Sequence, residues 1–381
     1  MPGALNNTAA LLAVFLLTSS GCRSKRGTAF EGYAFVATAG SSALAVVDLA
    51  AFSVVSQIGL ASRPVQLVSD PARNALYVMG EGGPAGLTVI DTARLTVKQR
   101  LWLAENPRRI RMSPDGEQLY ILDGRAALFK SLDLETMSHG PQIRLGSAPV
   151  DFDLSPDQQW ACVSLASGEV VILNLEHGKI AARIPVGGEP SAVAVRFDSR
   201  QAFVANRADR RVSAIDLAAG RLIAHLPLNL RPEMLRFKPD GGELFVPGGD
   251  GSVVVIISAY RDEIDQPLLA GAGPRDIAIT SDNRLLFVAN SAANTVSVMN
   301  IRDRRVLAAV AVGEEPHRVV LTPDDQYALV LNHKSGDLAV IRAQAVTQAR
   351  DRISPLFTMI PVGSRPVDVA VERREIRRSG S

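Results

Sequence analysis

The sequence predicts an all-β protein, a β-propeller of four-stranded antiparallel blades, with eight blades as the leading count and seven as the alternative. Three observations carry this expectation. Prolines recur at Pro64, Pro107, Pro149, Pro190, Pro232, Pro274, Pro316 and Pro366, at spacings of 41 to 43 residues until a final one of 50. Each proline precedes a short apolar run rich in β-branched residues. A turn signal then follows, as in Met112-Ser113-Pro114-Asp115-Gly116, Leu154-Ser155-Pro156-Asp157 and Leu321-Thr322-Pro323-Asp324. Proline presets φ for a turn, and aspartate bonds its own backbone, so these are hairpin turns with a mechanism.

Within each repeat the elements follow in a fixed order. The run after the anchor proline is the first strand. A second is seen in Leu76-Tyr77-Val78, Phe203-Val204-Ala205-Asn206 and Phe287-Val288-Ala289-Asn290. A polar loop leads to a third, as in Val212–Asp216 and Val296–Asn300, and a fourth follows, as in Val306–Val310. No useful helical periodicity interrupts them. A sheet of this kind is apolar on both faces and cannot bury both alone, so the sheets must stack radially into a ring. Seven units begin at Pro64 through Pro316. Three strands precede Pro64, near 33–38, 44–49 and 54–60, and one follows Pro366, at 367–371. Those four complete an eighth blade and close the ring by pairing the two ends of the chain. The excess in the last spacing is expected to form a loop or helical turn around 344–352.

Composition permits this and excludes alternatives. The 381 residues are 47% hydrophobic and 21% charged, with 41 Lys and Arg against 39 Asp and Glu. That balance supplies a large core and argues against a nucleic-acid partner, which calls for a one-sided basic surface. At the N-terminus, the apolar run 9–17 is too short to span a bilayer and suits the hydrophobic region of an export signal. The small residues leading to Cys22 resemble a bacterial lipobox. Residues 1–21 are therefore expected to be a lipoprotein-like signal peptide, with Cys22 lipidated and an ordinary signal peptide as the alternative. Residues 22–31 would be a short linker, 32–372 the propeller and 373–381 a charged tail. The only other cysteine, Cys162, reads as a small buried hydrophobe.

The segment 286–324, with Phe-Val-Ala-Asn, Thr-Val-Ser-Val-Met-Asn, Val-Gly-Glu-Glu-Pro and Leu-Thr-Pro-Asp-Asp, resembles the YVTN-type β-propeller repeat of bacterial exported and lipoprotein propellers. Segment 203–216 resembles it too, and the pattern covers about residues 32–372. Such propellers include surface-layer and envelope proteins, lactonase-like enzymes, and the propellers of quinoprotein amine dehydrogenases and haem d1 proteins, so the resemblance implies fold far more than function.

Propeller ligands bind where the inner strands converge on the axis, which singles out the residues just after each anchor proline. One and two places on, these include Arg108, Arg109, Asp151, Glu233, Arg275, Asp276, His317, Arg318 and Asp368. Four places on, Arg111, Asp153 and Arg236 are charged. Signs alternate between consecutive blades, as in Arg109 then Asp151, Arg111 then Asp153, and Asp276 then Arg318 then Asp368. Pairing across blade interfaces is the structural explanation, since an unpaired charge there is costly. A ligand site at the channel mouth, made by Glu233, Arg275, His317 and Arg318 and suited to an anion, is the functional one. No second metal ligand stands at a diagnostic distance from any of the five histidines, and no nucleophile elbow, phosphate loop or metalloprotease motif occurs. The expected function is thus an envelope-anchored, non-catalytic binding or scaffold module, periplasmic or on the cell surface, without cofactor or metal. It would be held to the membrane through Cys22 and would bind a protein or a small ligand. A lactonase-like or haem d1-type propeller is the alternative, and surface-layer self-assembly a third reading.

Overall fold

The computed structural model describes residues 30–82, 86–104, 106–347 and 354–374. The leader and Cys22 lie outside them, as does the tail beyond residue 374. Eight antiparallel sheets succeed one another along the chain. We number the blades by their innermost strands. Blade 1 starts with Arg63–Asp70, blade 2 with Pro107–Met112, blade 3 with Pro149–Leu154 and blade 4 with Pro190–Val195. Blade 5 has Arg236–Phe237, blade 6 Pro274–Ile279, blade 7 Pro316–Leu321 and blade 8 Pro366–Arg373.

Blade 8 is composite. Its innermost strand is the C-terminal segment, paired with Gly32–Thr38, which pairs in turn with Ala43–Asp48 and that with Ser53–Gly59. The closing strand reaches Arg373, and the Arg374 amide donates to the Glu31 carbonyl at 3.0 Å. The long last spacing holds the helix Ala343–Thr347.

Packing follows from the two-faced sheets. The described residues form eight buried apolar clusters, each drawn mainly from two neighbouring blades. Second-strand aromatics dominate several of them: Phe35, Tyr77, Phe203, Phe245 and Phe287 are fully buried. Burying one such ring contributes roughly 1.5–3 kcal/mol. Cys162 is buried in the cluster between blades 3 and 4, where desolvation pushes its thiol pKa up.

The turns after the inner strands of blades 2, 3, 6 and 7 repeat a single device. The Ser or Thr hydroxyl donates to the Asp two residues on, at 2.6 Å in Ser155–Asp157 and Thr280–Asp282 and 2.7 Å in Thr322–Asp324. The left-handed residue is the one after the Asp, not the Asp itself: Gly116, Gln158, Ser199, Gly241, Asn283 and Asp325 all have φ of 56 to 74°. Aspartate fixes the turn by accepting backbone and hydroxyl hydrogens, and its successor absorbs the positive φ.

Candidate functional site

The inner strands surround an axial cavity of about 690 Å³ lined by residues of all eight anchor positions except those of blades 2 and 3 nearest the prolines. That volume is within the range of small-molecule sites. Five arginines line it, Arg109, Arg111, Arg236, Arg275 and Arg318, with five carboxylates, Asp151, Asp153, Glu233, Asp276 and Asp368.

A belt of side chains links the blades below the mouth. In several blades the residue two places after the proline accepts from a backbone amide of the next blade. Asp368 holds Leu67, Gln66 holds Ile110, Asp151 holds Val193 and Asp276 holds Val319, at 2.9 to 3.1 Å. Where an arginine takes that place it reaches the next blade's aspartate instead, as Arg109 to Asp151 at 2.8 Å and Arg318 to Asp368 at 3.1 Å. Arg111 lies 3.5 Å from Asp153, whose second oxygen takes the Val195 amide at 2.9 Å. The alternating charges are therefore consumed across blade interfaces.

Electrostatics reflects this. Asp368 and Asp276 hold the Arg318 guanidinium well above the ordinary arginine value against desolvation. Desolvation raises the Asp153 carboxyl despite Arg111.

The belt is interrupted at blades 4 to 6. The equivalent places hold Ala192 and Met234, which offer no charged or amide acceptor. At the same point the inner strand of blade 5 shrinks to Arg236–Phe237, with only an isolated bridge from Pro232 to Gly248 before it. The sequence reason lies on its partner strand, Glu243–Pro247. Pro247 stands where blade 6 has Ala289, opposite Asp276, and has no amide hydrogen for that rung of the ladder.

The four residues singled out from sequence all line this cavity, with different ties. Glu233 is paired with Arg207 of blade 4 at 2.9 Å, and its amide donates to the Pro247 carbonyl. Arg318 is spent on Asp276 and Asp368. The His317 Nε2 lies 3.2 Å from the Val367 carbonyl, and its buried Nδ1 has no partner. Its ring stands edge-on to His333, at 5.1 Å between centroids. Desolvation lowers its pKa, with the Val367 carbonyl opposing. Arg275 is exposed to the cavity and makes no hydrogen bond or ion pair within the described residues.

Arg236 is the residue that belongs with Arg275. It too is solvent-accessible in the cavity, and its side chain has neither hydrogen bond nor ion pair within the described residues. Yet protein surrounds it: desolvation lowers its pKa, Asp276 opposes, and Arg318 and Arg111 add repulsion. Its field neighbours come from blades 2, 3, 6 and 7, so its guanidinium reaches toward the axis. The sequence signal was present, a charge four places after its proline with only Ala194 and Ala278 at the flanking equivalents. Among the described residues no group of three or more His, Cys, Asp or Glu is placed to hold a metal ion.

No family model and no curated protein matches the chain. Solved propellers do resemble it. The dihydro-haem d1 dehydrogenase NirN in complex with DHE is similar with a TM-score of 0.75 at 16% identity, over 89% of this chain and 74% of that one. Hydrazine synthase of Kuenenia stuttgartiensis gives 0.58 at 17%, over 71% of this chain and 96% of that one. A functionally unknown protein from Desulfotomaculum acetoxidans DSM 771 gives 0.60 at 14%, over 79% and 99%. At these identities the likeness shows the fold: the chain is an eight-bladed β-propeller.

Proposed function

We propose that this propeller is a non-catalytic, envelope-anchored binding module whose axial cavity takes a small organic anion. One observation carries the ligand's charge. Every carboxylate of the cavity already has an arginine within 4 Å, whereas the Arg236 and Arg275 side chains have no partner among the described residues. Two unpaired guanidinium groups facing one cavity offer donor forks that match a carboxylate's two oxygens.

The test is thermal unfolding and calorimetric titration with small carboxylates, using the wild type, Arg236→Met and Arg275→Ala. Carboxylate should stabilise the wild type and bind the variants about 10- to 100-fold more weakly, the worth of a hydrogen bond to a charged group. Arg236→Met should also raise the ligand-free stability by about 1 kcal/mol, as expected when a functional charge is removed. Equal binding by all three proteins would sink the reading. Turnover of a lactone that disappears in Glu233→Gln would overturn its non-catalytic part.

A haem-like tetrapyrrole, suggested by the likeness to NirN, fits the residues less well where its iron would be held by histidine. Of the cavity's one histidine, Nε2 is occupied by the Val367 carbonyl and Nδ1 is buried in the wall. A Soret band retained through purification would decide for it.

The anchor rests on Cys22 and the apolar run before it. Lipidation there provides chains enough for stable attachment. Cys22→Ala should move the protein from the membrane to the soluble fraction, and unchanged fractionation would remove the anchor from the proposal.

A further inference from the structure

The two unpaired arginines stand at different depths of the cavity. Arg275 directly follows Pro274, whose register partner is Asn290, at the anchor-proline end of the inner strand. Arg236 pairs with Phe245, the blade 5 counterpart of Phe287, so it lies level with Ala278, three residues further along the inner strands. At about 3.3 Å per residue, less the irregularity at Arg275, the two levels are roughly 7–10 Å apart.

The wall between those levels carries no free charge. Blade 4 contributes Ala192 and blade 5 contributes Met234, where other blades place Asp, Arg or Gln, and Ala194 stands beside Arg236 at the lower level. The Ser191 hydroxyl is turned to the Pro232 carbonyl at 3.1 Å. The nearest acids are engaged, Glu233 with Arg207 and Asp276 with the Val319 amide. Two unpaired charges, with an uncharged wall between their levels on the side of blades 4 and 5 and only paired charges on the other side, are the complement of a particular ligand shape.

We infer that the ligand is an elongated organic diacid, one acid group held at Arg275 at the anchor-proline end and the other at Arg236 further along the inner strands. Its uncharged middle lies against Met234 and Ala192. The inference rests on the anion reading above and adds to it a length and a second charge. A ligand with one acid group would leave one guanidinium unpaired in the ring. A compact anion such as phosphate would satisfy one level only.

The experiment is a calorimetric series of α,ω-dicarboxylates from malonate to sebacate on the purified protein, with the monomethyl ester of the tightest binder. Affinity should pass through a maximum at intermediate length. The ester should bind about 10- to 100-fold more weakly than its diacid. Arg236→Met and Arg275→Ala should each cost the diacid a comparable factor. The two losses should be complementary, so that the ester tolerates one of the two substitutions. Arg236→Lys, which keeps the charge, should retain the length optimum and shows that any loss in the methionine variant is not misfolding. Affinity independent of length, or an ester as tight as the diacid, would overturn the inference while leaving the anion reading in place. Indifference of every carboxylate to both arginines would overturn the two together.

Discussion

Arg318 and Arg236 show how much one neighbour decides at the residue scale. Both project from inner strands into the same cavity. Arg318 has Asp276 at 3.8 Å and Asp368 at 3.1 Å and is part of the structure that holds blades 6, 7 and 8 together. Arg236 has no such pair among the described residues, and desolvation, only partly opposed by the more distant Asp276 and Asp153, holds its pKa below the ordinary arginine value. His317 gives a pH dependence with a definite sign. Burial holds it below its ordinary value of 6.5, so the folded state favours the neutral ring. Its contribution to stability is fully present above that ordinary value, falls away as pH drops below it, and is gone once pH has passed through the folded value. His333, Asp276 and Arg318 face the same ring and set the size of the effect. Thermal unfolding between about pH 7.5 and 5 should therefore show a loss of stability that His317→Gln reduces. An identical slope in the variant would show that His317 takes no part.

At the scale of elements, the strands and turns were legible because each is specified locally. Alternating apolar residues define the strands, and the Ser-Pro-Asp or Thr-Pro-Asp signal defines the turn between them. Blade 5 was the exception. Its run Leu235-Arg236-Phe237 reads as an ordinary inner strand, yet only two residues of it pair. A strand needs its partner's amides, and Pro247 removes one from the neighbouring strand. Pro247→Ala should restore that rung. Hydrogen exchange at Met234, Leu235 and Arg236 should slow as a result, and stability should rise by about 1 kcal/mol. Unchanged exchange there would mean that the gap in the side-chain belt at Ala192, rather than the missing amide, loosens the blade.

For the whole molecule, closure is the dominant fact. Asp368 in the closing strand holds the Leu67 amide at 2.9 Å and Arg318 at 3.1 Å, while Val369 fills the core between blades 7 and 8. Glu372 is buried at the same seam and accepts from the Ser69 hydroxyl. One segment thus ties blades 7, 8 and 1. Removing residues 366–381 should cost far more than the loss of one surface strand. It leaves an open sheet edge, two uncovered apolar clusters and an arginine without its main partner. Denaturant unfolding of that truncation should show a lower midpoint and a broader transition than the full chain. A transition as sharp as the wild type's would mean the seam is dispensable.

Taken alone, the sequence determined the repeat, its four strands, the count of eight and the closure by both chain ends. All of these follow from period and strand order, which are properties of the chain itself. It also placed Glu233, Arg275, His317 and Arg318 near the axis, because anchor prolines mark where inner strands begin. Only the tertiary structure decided which of those charges is free. Whether a charge is spent depends on the blade next door and on the strand across the ladder, some 40 residues away in the chain. That is why, among the described residues, Glu233 and Arg318 proved to be paired, and Arg275 and Arg236, the latter at a position whose neighbours are alanines, unpaired.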